Sequence, residues 1–347
     1  MGGTLSPSSR SAHAIQHHHF GRLISATIAY CTDQDFHCSR RPRATRKRTM
    51  TGSDKVVTRQ LTAQRHSDSQ ASISGRNMIT DAFRLDGKVA LITGASKGIG
   101  AGIANAFAEM GAHVVLIARS ESELADVAAA VTEHGVTALP IACDITQDSA
   151  LSAAVEKLES EFGKLDILVN NAGGPGKGYG SLEQIDRSRF DHTLDINLSS
   201  AYSLTHLALP LLRTAGQATI VNISSALAWM VDSRFAAYGA AKAGMEQMTR
   251  ILAYELAPDI RVNAIAPGAI ETPSTAFITA NPEMLESTVR WIPQGRMGQP
   301  LDIALAALYL ASPASGFVSG KVLEVDGGMA ALPGSAIESK LMDLHQS

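Results

Sequence analysis

The sequence contains few cysteines and no long apolar run. Its 347 residues include three cysteines, Cys31, Cys38 and Cys143, whose odd number and unpaired spacing give no disulfide framework. No apolar stretch reaches the about 18 residues that a membrane-spanning helix needs. These absences argue against a disulfide-stabilised secreted scaffold and against a membrane span. They predict a protein of a reducing compartment, the cytoplasm.

Basic residues are scarce in most of the chain. The formal net charge is −3, but the first 78 residues contain 12 Lys+Arg and 4 Asp+Glu, whereas the remaining residues contain 18 and 29. An acidic body lacks the basic surface that nucleic acid binding requires. We therefore expect no nucleic-acid partner.

Residues 1–80 form a basic, low-complexity extension without sustained hydrophobic periodicity. Such a segment buries too little apolar surface to offset the entropy lost on ordering. Three interpretations remain: a disordered tail, an Arg/Ser-rich targeting peptide, or upstream sequence from a wrongly assigned start, with Met50 or Met78 as the true one. We favour the tail or the wrong start. The run His17-His18-His19 has no partner spacing for a metal, so we expect no metal site.

From residue 81 to residue 332 the chain alternates strand and helix patterns, and residues 333–347 are expected to be a tail. Seven continuous apolar runs are the predicted strands: 88–93, 113–118, 137–143, 166–170, 218–224, 260–266 and 321–325. Continuous apolar runs are typical of a parallel sheet covered on both faces. The predicted fold class is α/β, a doubly wound parallel seven-stranded sheet flanked by helices in a single domain.

A glycine-rich segment, Thr93–Gly100, follows the first predicted strand and precedes a predicted helix. Gly94, Gly98 and Gly100 would let backbone N–H groups approach a pyrophosphate at the helix N-terminus. A tight turn without a ligand is the alternative, because a glycine pattern alone is weak evidence. Since strand, turn and helix all match the Rossmann-type arrangement, we predict a dinucleotide cofactor.

The end of the second predicted strand should select the cofactor. An acidic residue there would bind the ribose 2′-hydroxyl of NAD(H), but this chain has Ala118, Arg119 and Ser120. Lys97 adds a second cation inside the glycine turn. Two cations and no carboxylate favour the 2′-phosphate of NADP(H), with NAD(H) as a second cofactor that the site would accept. Alternatively, both cations are ordinary surface charges.

Tyr238 and Lys242 lie four residues apart, on one face of a predicted helix, and Ser225 precedes them. A phenol has a pKa near about 10, and a neighbouring ammonium should lower that pKa. The three residues therefore resemble a tuned acid/base group. Taken singly, Ser225 could cap a turn, Tyr238 could be a core tyrosine and Lys242 a solvated lysine.

With these motifs in their order and spacing, residues 84–329 resemble the short-chain dehydrogenase/reductase family. The motif 170–173 and the pair Pro267-Gly268 also match. The resemblance implies four catalytic residues: Asn197, Ser225, Tyr238 and Lys242. It implies a larger set of cofactor-binding residues: Gly94, Ser96, Lys97, Gly98, Ile99, Gly100, Arg119, Asp144, Ile145, Asn171, Ala172, Gly173, Tyr238, Lys242, Pro267, Gly268, Ile270 and Thr272.

Some of these residues have alternative roles. By resemblance Asp144 would contact the adenine edge, but it could instead be a helix N-cap. Asn171 could be an amide that ties strands together. Thr272 would hold the nicotinamide carboxamide together with the Ile270 backbone, and Asn197 would hold a water that connects Lys242 to solvent.

Within the family, several stretches are most similar to bacterial 7α-hydroxysteroid dehydrogenases and nearly as similar to 3-oxoacyl-carrier-protein reductases. The expected function is NADP(H)-dependent interconversion of a secondary alcohol and a ketone on a lipophilic, hydroxysteroid-like substrate. The 7α enzymes carry an acidic residue at the position of Ala118 and use NAD, so this chain departs from them.

The alternatives to that function are a 3-oxoacyl-carrier-protein or acyl thioester reductase and, in another class, a catalytically idle dinucleotide sensor. Substrate contacts are expected in residues 226–231 and in an apolar helical lid over residues 269–292. The resemblance also implies a homotetramer.

Overall fold

The computed structural model describes residues 78–329. The predictions for most of the N-terminal extension, including the histidine run and Met50, and for the tail at 333–347 lie outside these residues. Within the described part, no helix is long and apolar enough to cross a membrane.

Seven strands form one parallel sheet, as the sequence predicts. The strands are β1 Val89–Thr93, β2 His113–Ala118, β3 Ala138–Ala142, β4 Ile167–Asn170, β5 Ala218–Ile223, β6 Ile260–Pro267 and β7 Val322–Val325. Their spatial order is β3-β2-β1-β4-β5-β6-β7. The order reverses between β1 and β4, and in open α/β sheets ligands bind at the carboxyl ends of the strands beside such a reversal.

Helices cover both faces of the sheet. The α-helices of the described part are α1 Met78–Asp81, α2 Gly98–Glu109, α3 Glu121–Thr132, α4 Asp148–Phe162, α5 Arg187–Leu194, α6 Ser200–Thr214, α7 Ala236–Glu255, α8 Ala276–Thr279, α9 Pro282–Val289 and α10 Pro300–Ala311. A π-helical segment, Asp195–Ser199, joins α5 to α6. This arrangement confirms the predicted α/β class.

The core has one apolar cluster on each face of the sheet. On one face α2 and α10 bury side chains such as Phe107 and Ile303. On the other face α4 and α6 bury Leu158 and Leu204. Because both faces are covered, β1 is buried at every residue, which explains why its sequence is a continuous apolar run.

A buried amide network lies beneath the carboxyl edge of the sheet. Asn170 Nδ2 donates to Asn222 Oδ1 at 2.8 Å and to Thr205 Oγ1 at 3.2 Å. Asn222 Nδ2 donates to Thr249 Oγ1 at 2.9 Å. These bonds join β4 and β5 to α6 and α7, so they fix the two helices against the strands that bear the site. The side chain of Asn170 therefore belongs to the core.

Candidate active site

A cleft of about 790 Å³ opens at the carboxyl edge of the sheet. All of the predicted cofactor-binding residues line it, Tyr238 and Lys242 among them, and so does Ser225. Asn197 does not line it, although the adjacent Ile196 does. The cleft also contains residues that the sequence did not single out as cofactor-binding: Ala118, Ser120, Glu123, Cys143, Gly174, Pro175, Gly176, Ile196, Ile223, Ser224, Pro273, Ser274 and Thr275.

The glycine turn brings backbone close to the cleft at the start of α2. Gly94 and Gly98 have φ of +64° and +57°, which other L-residues rarely adopt. A Cβ on Gly100 would collide with the carbonyl oxygen of Gly94. Lys97, at the N-cap of α2, makes no side-chain capping bond, so no side chain covers the first-turn N–H groups. An uncapped helix N-terminus facing a cleft fits the pyrophosphate of a dinucleotide.

Asn171, the residue directly after β4, supports this turn. Its Nδ2 donates to the carbonyl oxygens of Thr93 at 2.7 Å and Gly94 at 3.3 Å, and its backbone N–H donates to Thr93 Oγ1 at 2.9 Å. The Asn171 amide therefore ties the end of β4 to the turn after β1, which is the structural role that the sequence analysis considered. The residue also lines the cleft, as the cofactor-binding prediction requires.

Asp144 lies in the cleft but does not cap a helix. Its Oδ1 accepts from the Thr146 N–H at 3.0 Å and from Thr146 Oγ1 at 2.9 Å. The following helix, α4, has Gln147 at its N-cap, so the N-cap interpretation is wrong. The Thr146 N–H is the largest cause of a lowered pKa at Asp144, and the Arg119 charge adds to it.

Glu123 is a residue of the cleft that sequence reasoning missed. Its Oε1 accepts from Lys97 Nζ at 3.0 Å and its Oε2 accepts from Ser96 Oγ at 2.9 Å. The hydrogen bond from Lys97, followed by that from Ser96, lowers the pKa of the Glu123 carboxyl. Lys97 is therefore ion-paired, whereas Arg119 is exposed and has no ion-pair partner within residues 78–329.

Tyr238 stands on the first turns of α7, and Ser225 faces it from the loop after β5. Ser225 also caps the turn Ala226–Ala228 by accepting from the Leu227 N–H at 3.2 Å. Burial raises the pKa of Tyr238, and the hydrogen bond with Ser225 opposes that rise. The spacing predicted a pKa lowered by the nearby ammonium, whereas the pKa of Tyr238 is raised here, because desolvation disfavours the phenolate.

Lys242 lies one turn further along α7 and is almost fully buried, with 2% of its surface exposed. Its Nζ donates to the carbonyl oxygen of Ile223 at 2.8 Å and lies 5.6 Å from the ring centroid of Tyr238. Burial lowers the pKa of Lys242 to about 7. The amine thus sits beside the phenol, as the spacing predicts, but its charge is weakened by desolvation.

Asn197 is held by the π-helical segment and is fully buried. Its Oδ1 accepts from the Gly174 N–H at 2.8 Å, and its Nδ2 donates to the carbonyl oxygens of Gly174 and Thr193, both at 2.9 Å. A side chain on Gly173 would meet Asn197 Oδ1 and Lys242 Nζ. Asn197 therefore lies behind the wall of the cleft, next to Gly173 and Lys242, which line it. Single-turn π-helical insertions are frequent at functional sites.

The segment after β6 is helical, as the lid prediction requires. Thr272 N–H donates to Thr275 Oγ1 at 2.9 Å, and this oxygen donates to Ile270 O at 2.7 Å. Helices α8 and α9 follow and bury no residue. Phe277 and Met284 are exposed, and neither lines the cleft, whose lining in this segment ends at Thr275.

The parallel sheet, the glycine turn and the uncapped N-terminus of α2 define a dinucleotide-binding α/β protein. A family model described as enoyl-(acyl carrier protein) reductase matches residues 94–330. The chain belongs to the short-chain dehydrogenase/reductase family of NAD(P)-dependent oxidoreductases.

Three relatives are similar to this chain over most of its length. The chain is 43% identical to an uncharacterized oxidoreductase of Mycobacterium tuberculosis, over 73% of this chain and 95% of the relative. It is 39% identical to the 7alpha-hydroxysteroid dehydrogenase of Escherichia coli K12, over 72% and 96%. It is 38% identical to a 3-oxoacyl-[acyl-carrier-protein] reductase of Vibrio cholerae, over 71% and 99%.

Solved structures show the same fold with bound cofactors. A 7 alpha-hydroxysteroid dehydrogenase complexed with NADH and 7-oxo glycochenodeoxycholic acid superposes with a TM-score of 0.69 at 39% identity, covering 72% of this chain and 96% of that one. The Pseudomonas aeruginosa RhlG/NADP active-site complex has a TM-score of 0.68 at 35% identity, covering 72% and 99%.

Proposed function

We propose that this protein is an NADP(H)-dependent oxidoreductase that interconverts a secondary alcohol and a ketone on a lipophilic, hydroxysteroid-like substrate. The observation that carries the proposal is the convergence of Ser225, Tyr238 and Lys242 in a cleft that fits a dinucleotide. A protein that only sensed dinucleotides would not need an acid/base group there, so the arrangement favours catalysis over the idle sensor.

The hydroxyls of Ser225 and Tyr238 have the chemistry to polarise a ketone. Both line the cleft, so a carbonyl oxygen placed between them would accept from two O–H donors. A nicotinamide cofactor, when bound, supplies or accepts the hydride. In reduction Tyr238 gives its proton to the forming alkoxide oxygen, and in oxidation it takes the proton back.

The remaining residues return that proton. With a raised pKa, the Tyr238 phenol is protonated at neutral pH and ready to act as an acid. Lys242, whose pKa is about 7, can exchange a proton near neutrality. Asn197, beside Lys242 behind the cleft wall, is assigned to hold a water that connects this amine to solvent.

Preference for NADP(H) is supported by the exposed Arg119 at the end of β2, where no acidic residue stands. A guanidinium suits a phosphate because it offers several donors in a planar fork. Lys97 contributes less than expected from sequence, because Glu123 is its partner. Fluorescence titration of the chain with NADPH and with NADH measures the preference directly.

The lipophilic substrate is supported by exposed apolar side chains in the two segments that follow the lining residues Ser225 and Thr275. Phe277 and Met284 on the lid helices are exposed, as is Trp229 after Ser225. The similarity to a hydroxysteroid dehydrogenase agrees with such a surface. A 3-oxoacyl thioester reductase is the second candidate, supported by the similarity to the Vibrio cholerae enzyme.

We further propose that the protein is a cytoplasmic homotetramer. Large apolar side chains remain exposed on α6 and α7, the helices beside the catalytic residues; they are Tyr202, Ile251 and Tyr254. Exposed apolar side chains of this size support association with another copy. Met245, in contrast, is buried within the chain.

The central test is Tyr238→Phe with a panel of ketosteroids, simple lipophilic ketones and 3-oxoacyl thioesters. Because only the proton-donating oxygen is removed, we expect kcat to fall by about 10²- to 10⁴-fold. The dissociation constant for NADPH should stay within about twofold. Steady-state kinetics and a fluorescence titration measure the two quantities.

Tyr309→Phe is the matched control, since Tyr309 lies on α10 and does not line the cleft. It should leave turnover unchanged. Turnover by Tyr238→Phe at the rate of the unaltered chain would refute the catalytic role of the phenol. Activity confined to the thioesters would favour the second candidate, and no turnover of any ketone or alcohol would favour the sensor.

A further inference from the structure

We propose that Glu123 is a cofactor-specificity residue: its carboxylate holds Lys97 in an ion pair and thereby weakens the binding of the 2′-phosphate of NADP(H). The inference rests on the proposed dinucleotide function of the cleft. It assigns a role to a residue that neither the glycine turn nor the end of β2 contains.

Glu123 joins the two segments that select the cofactor. The carboxylate projects from the first turn of α3 and contacts both Lys97 and Ser96 in the glycine turn, at 3.0 and 2.9 Å. All three residues line the cleft together with Arg119. The side chains of Lys97 and Glu123 are 55% and 40% exposed, so the pair can open when a ligand arrives.

The local sequence predicts a different position for this carboxylate. Ser120 and Glu123 match the S-x-x-E capping box, in which the glutamate reaches back to the backbone N–H of the N-cap residue. Only half of that motif forms: Ser120 Oγ accepts from the Glu123 N–H at 3.4 Å. The Glu123 side chain instead extends to the glycine turn. Both of its oxygens are occupied there, which makes the bridge a specific contact.

Charge decides how the bridge acts on each cofactor. A 2′-phosphate is attracted by Arg119 and Lys97 but repelled by Glu123, and contact with Lys97 requires that the pair be opened or shared. The 2′-hydroxyl of NAD(H) carries no charge and requires no such opening. Glu123 should therefore reduce the preference for NADP(H) over NAD(H) without abolishing it.

The test is Glu123→Gln, which removes the charge and keeps the shape and an acceptor oxygen for Ser96. Because an exposed ion pair contributes modestly, we expect the dissociation constant for NADPH to fall by about three- to fivefold. The constant for NADH should stay within about twofold of that of the unaltered chain. Fluorescence and calorimetric titrations measure both constants without turnover, and the gain should shrink at about 0.5 M salt.

Glu121→Gln is the matched control. Glu121 stands in the same turn of α3, is exposed and makes no hydrogen bond or ion pair within the described part of the chain. This variant removes the same charge near the same helix end, so it reports any general electrostatic effect. Lys97→Gln should weaken NADPH binding more in the Glu123→Gln background than in the unaltered chain, because Lys97 is then released.

Three results would overturn the inference. Equal effects of Glu123→Gln and Glu121→Gln on the dissociation constant for NADPH would show that Glu123 acts only as a distant charge. Weaker NADH binding with unchanged NADPH binding would make Glu123 an acceptor for the ribose hydroxyl. Failure of the unaltered chain to bind either dinucleotide would overturn the proposed function and this inference with it.

Discussion

At the scale of the residue, Lys242 shows how burial changes the chemistry of a familiar side chain. Its amine has one carbonyl partner, Ile223, and almost no contact with solvent. Because water no longer stabilises the ammonium, its pKa falls from the ordinary value of 10.5 to about 7. The site therefore keeps an amine that can hold or release a proton near neutrality, at a cost to stability.

Because of this cost, we expect the effect of Lys242→Met on the free energy of unfolding to depend on pH. Between about pH 7 and about pH 10.5 the unfolded chain binds the extra proton and the folded chain does not, so the stability lost to Lys242 is recovered as pH rises. Below about pH 7 the full cost applies. Replacing Lys242 by Met should therefore raise the free energy of unfolding, and this increase should be about 2 to 3 kcal/mol larger at about pH 6 than at about pH 9.

Denaturant unfolding of the chain without added cofactor measures this difference. The loss of the bond to Ile223 should be similar at both pH values and so cancels. Lys157→Met on the exposed face of α4 is the control, because it replaces a lysine that is not buried. A Lys242→Met effect that is independent of pH would show that the folded and unfolded chains protonate this lysine alike.

At the scale of the element, the turn between β1 and α2 determines whether backbone can meet a ligand. Gly94 and Gly98 supply left-handed backbone, and Gly100 lets the first turn of α2 lie against the carbonyl of Gly94. Asn171 then fixes the turn to β4. Helix, turn and strand thus form one rigid unit, which suits a site that recognises a phosphate through N–H groups.

We expect Gly100→Ala to damage this unit. The new Cβ would overlap the Gly94 carbonyl, which is backbone and cannot swing aside, so the turn must shift. Unfolding should cost about 1 to 3 kcal/mol less, and NADPH affinity should fall by about tenfold or more. Thermal unfolding and the same titration test both expectations.

Ala101→Gly serves as the control for Gly100→Ala. It alters the next residue of α2 and lowers stability by about 1 kcal/mol through helix propensity alone. It should leave the affinity for NADPH nearly unchanged. Tight NADPH binding by Gly100→Ala would mean that close backbone approach is not what the third glycine provides.

At the scale of the whole molecule, the outer face of α6 and α7 contrasts with the covered sheet. Ile251 is 48% exposed and Tyr254 is 88% exposed, although both are large and apolar. The same α7 carries Tyr238 and Lys242, which line the cleft. Association through this face would brace the helix that bears the proposed acid/base pair.

Ile251→Glu should therefore dissociate the proposed homotetramer into smaller species, because a charge placed in an apolar interface is left without a partner. Sedimentation or light scattering measures the mass. Leu182→Glu is the control: Leu182 is exposed too, but it lies before α5, outside this face, and the variant should keep the mass of the unaltered chain. Equal masses for Ile251→Glu and the unaltered chain would contradict the proposal.

The sequence by itself determined the parallel sheet, the glycine turn and the pairing of Tyr238 with Lys242. These features follow from local patterns: apolar runs set the strands, glycines set the turn, and a spacing of four sets one helix face. Such patterns depend only on near neighbours along the chain.

Only the tertiary structure decided what those residues experience. Glu123 reaches Lys97 across 26 positions, and Lys242 reaches Ile223 across 19. The spacing predicted a lowered pKa for Tyr238, but burial raises it. That burial comes from helices and strands that meet around the residue. Charge pairing and desolvation depend on which groups, far apart in the sequence, the fold brings together. A local pattern of residues does not specify those contacts.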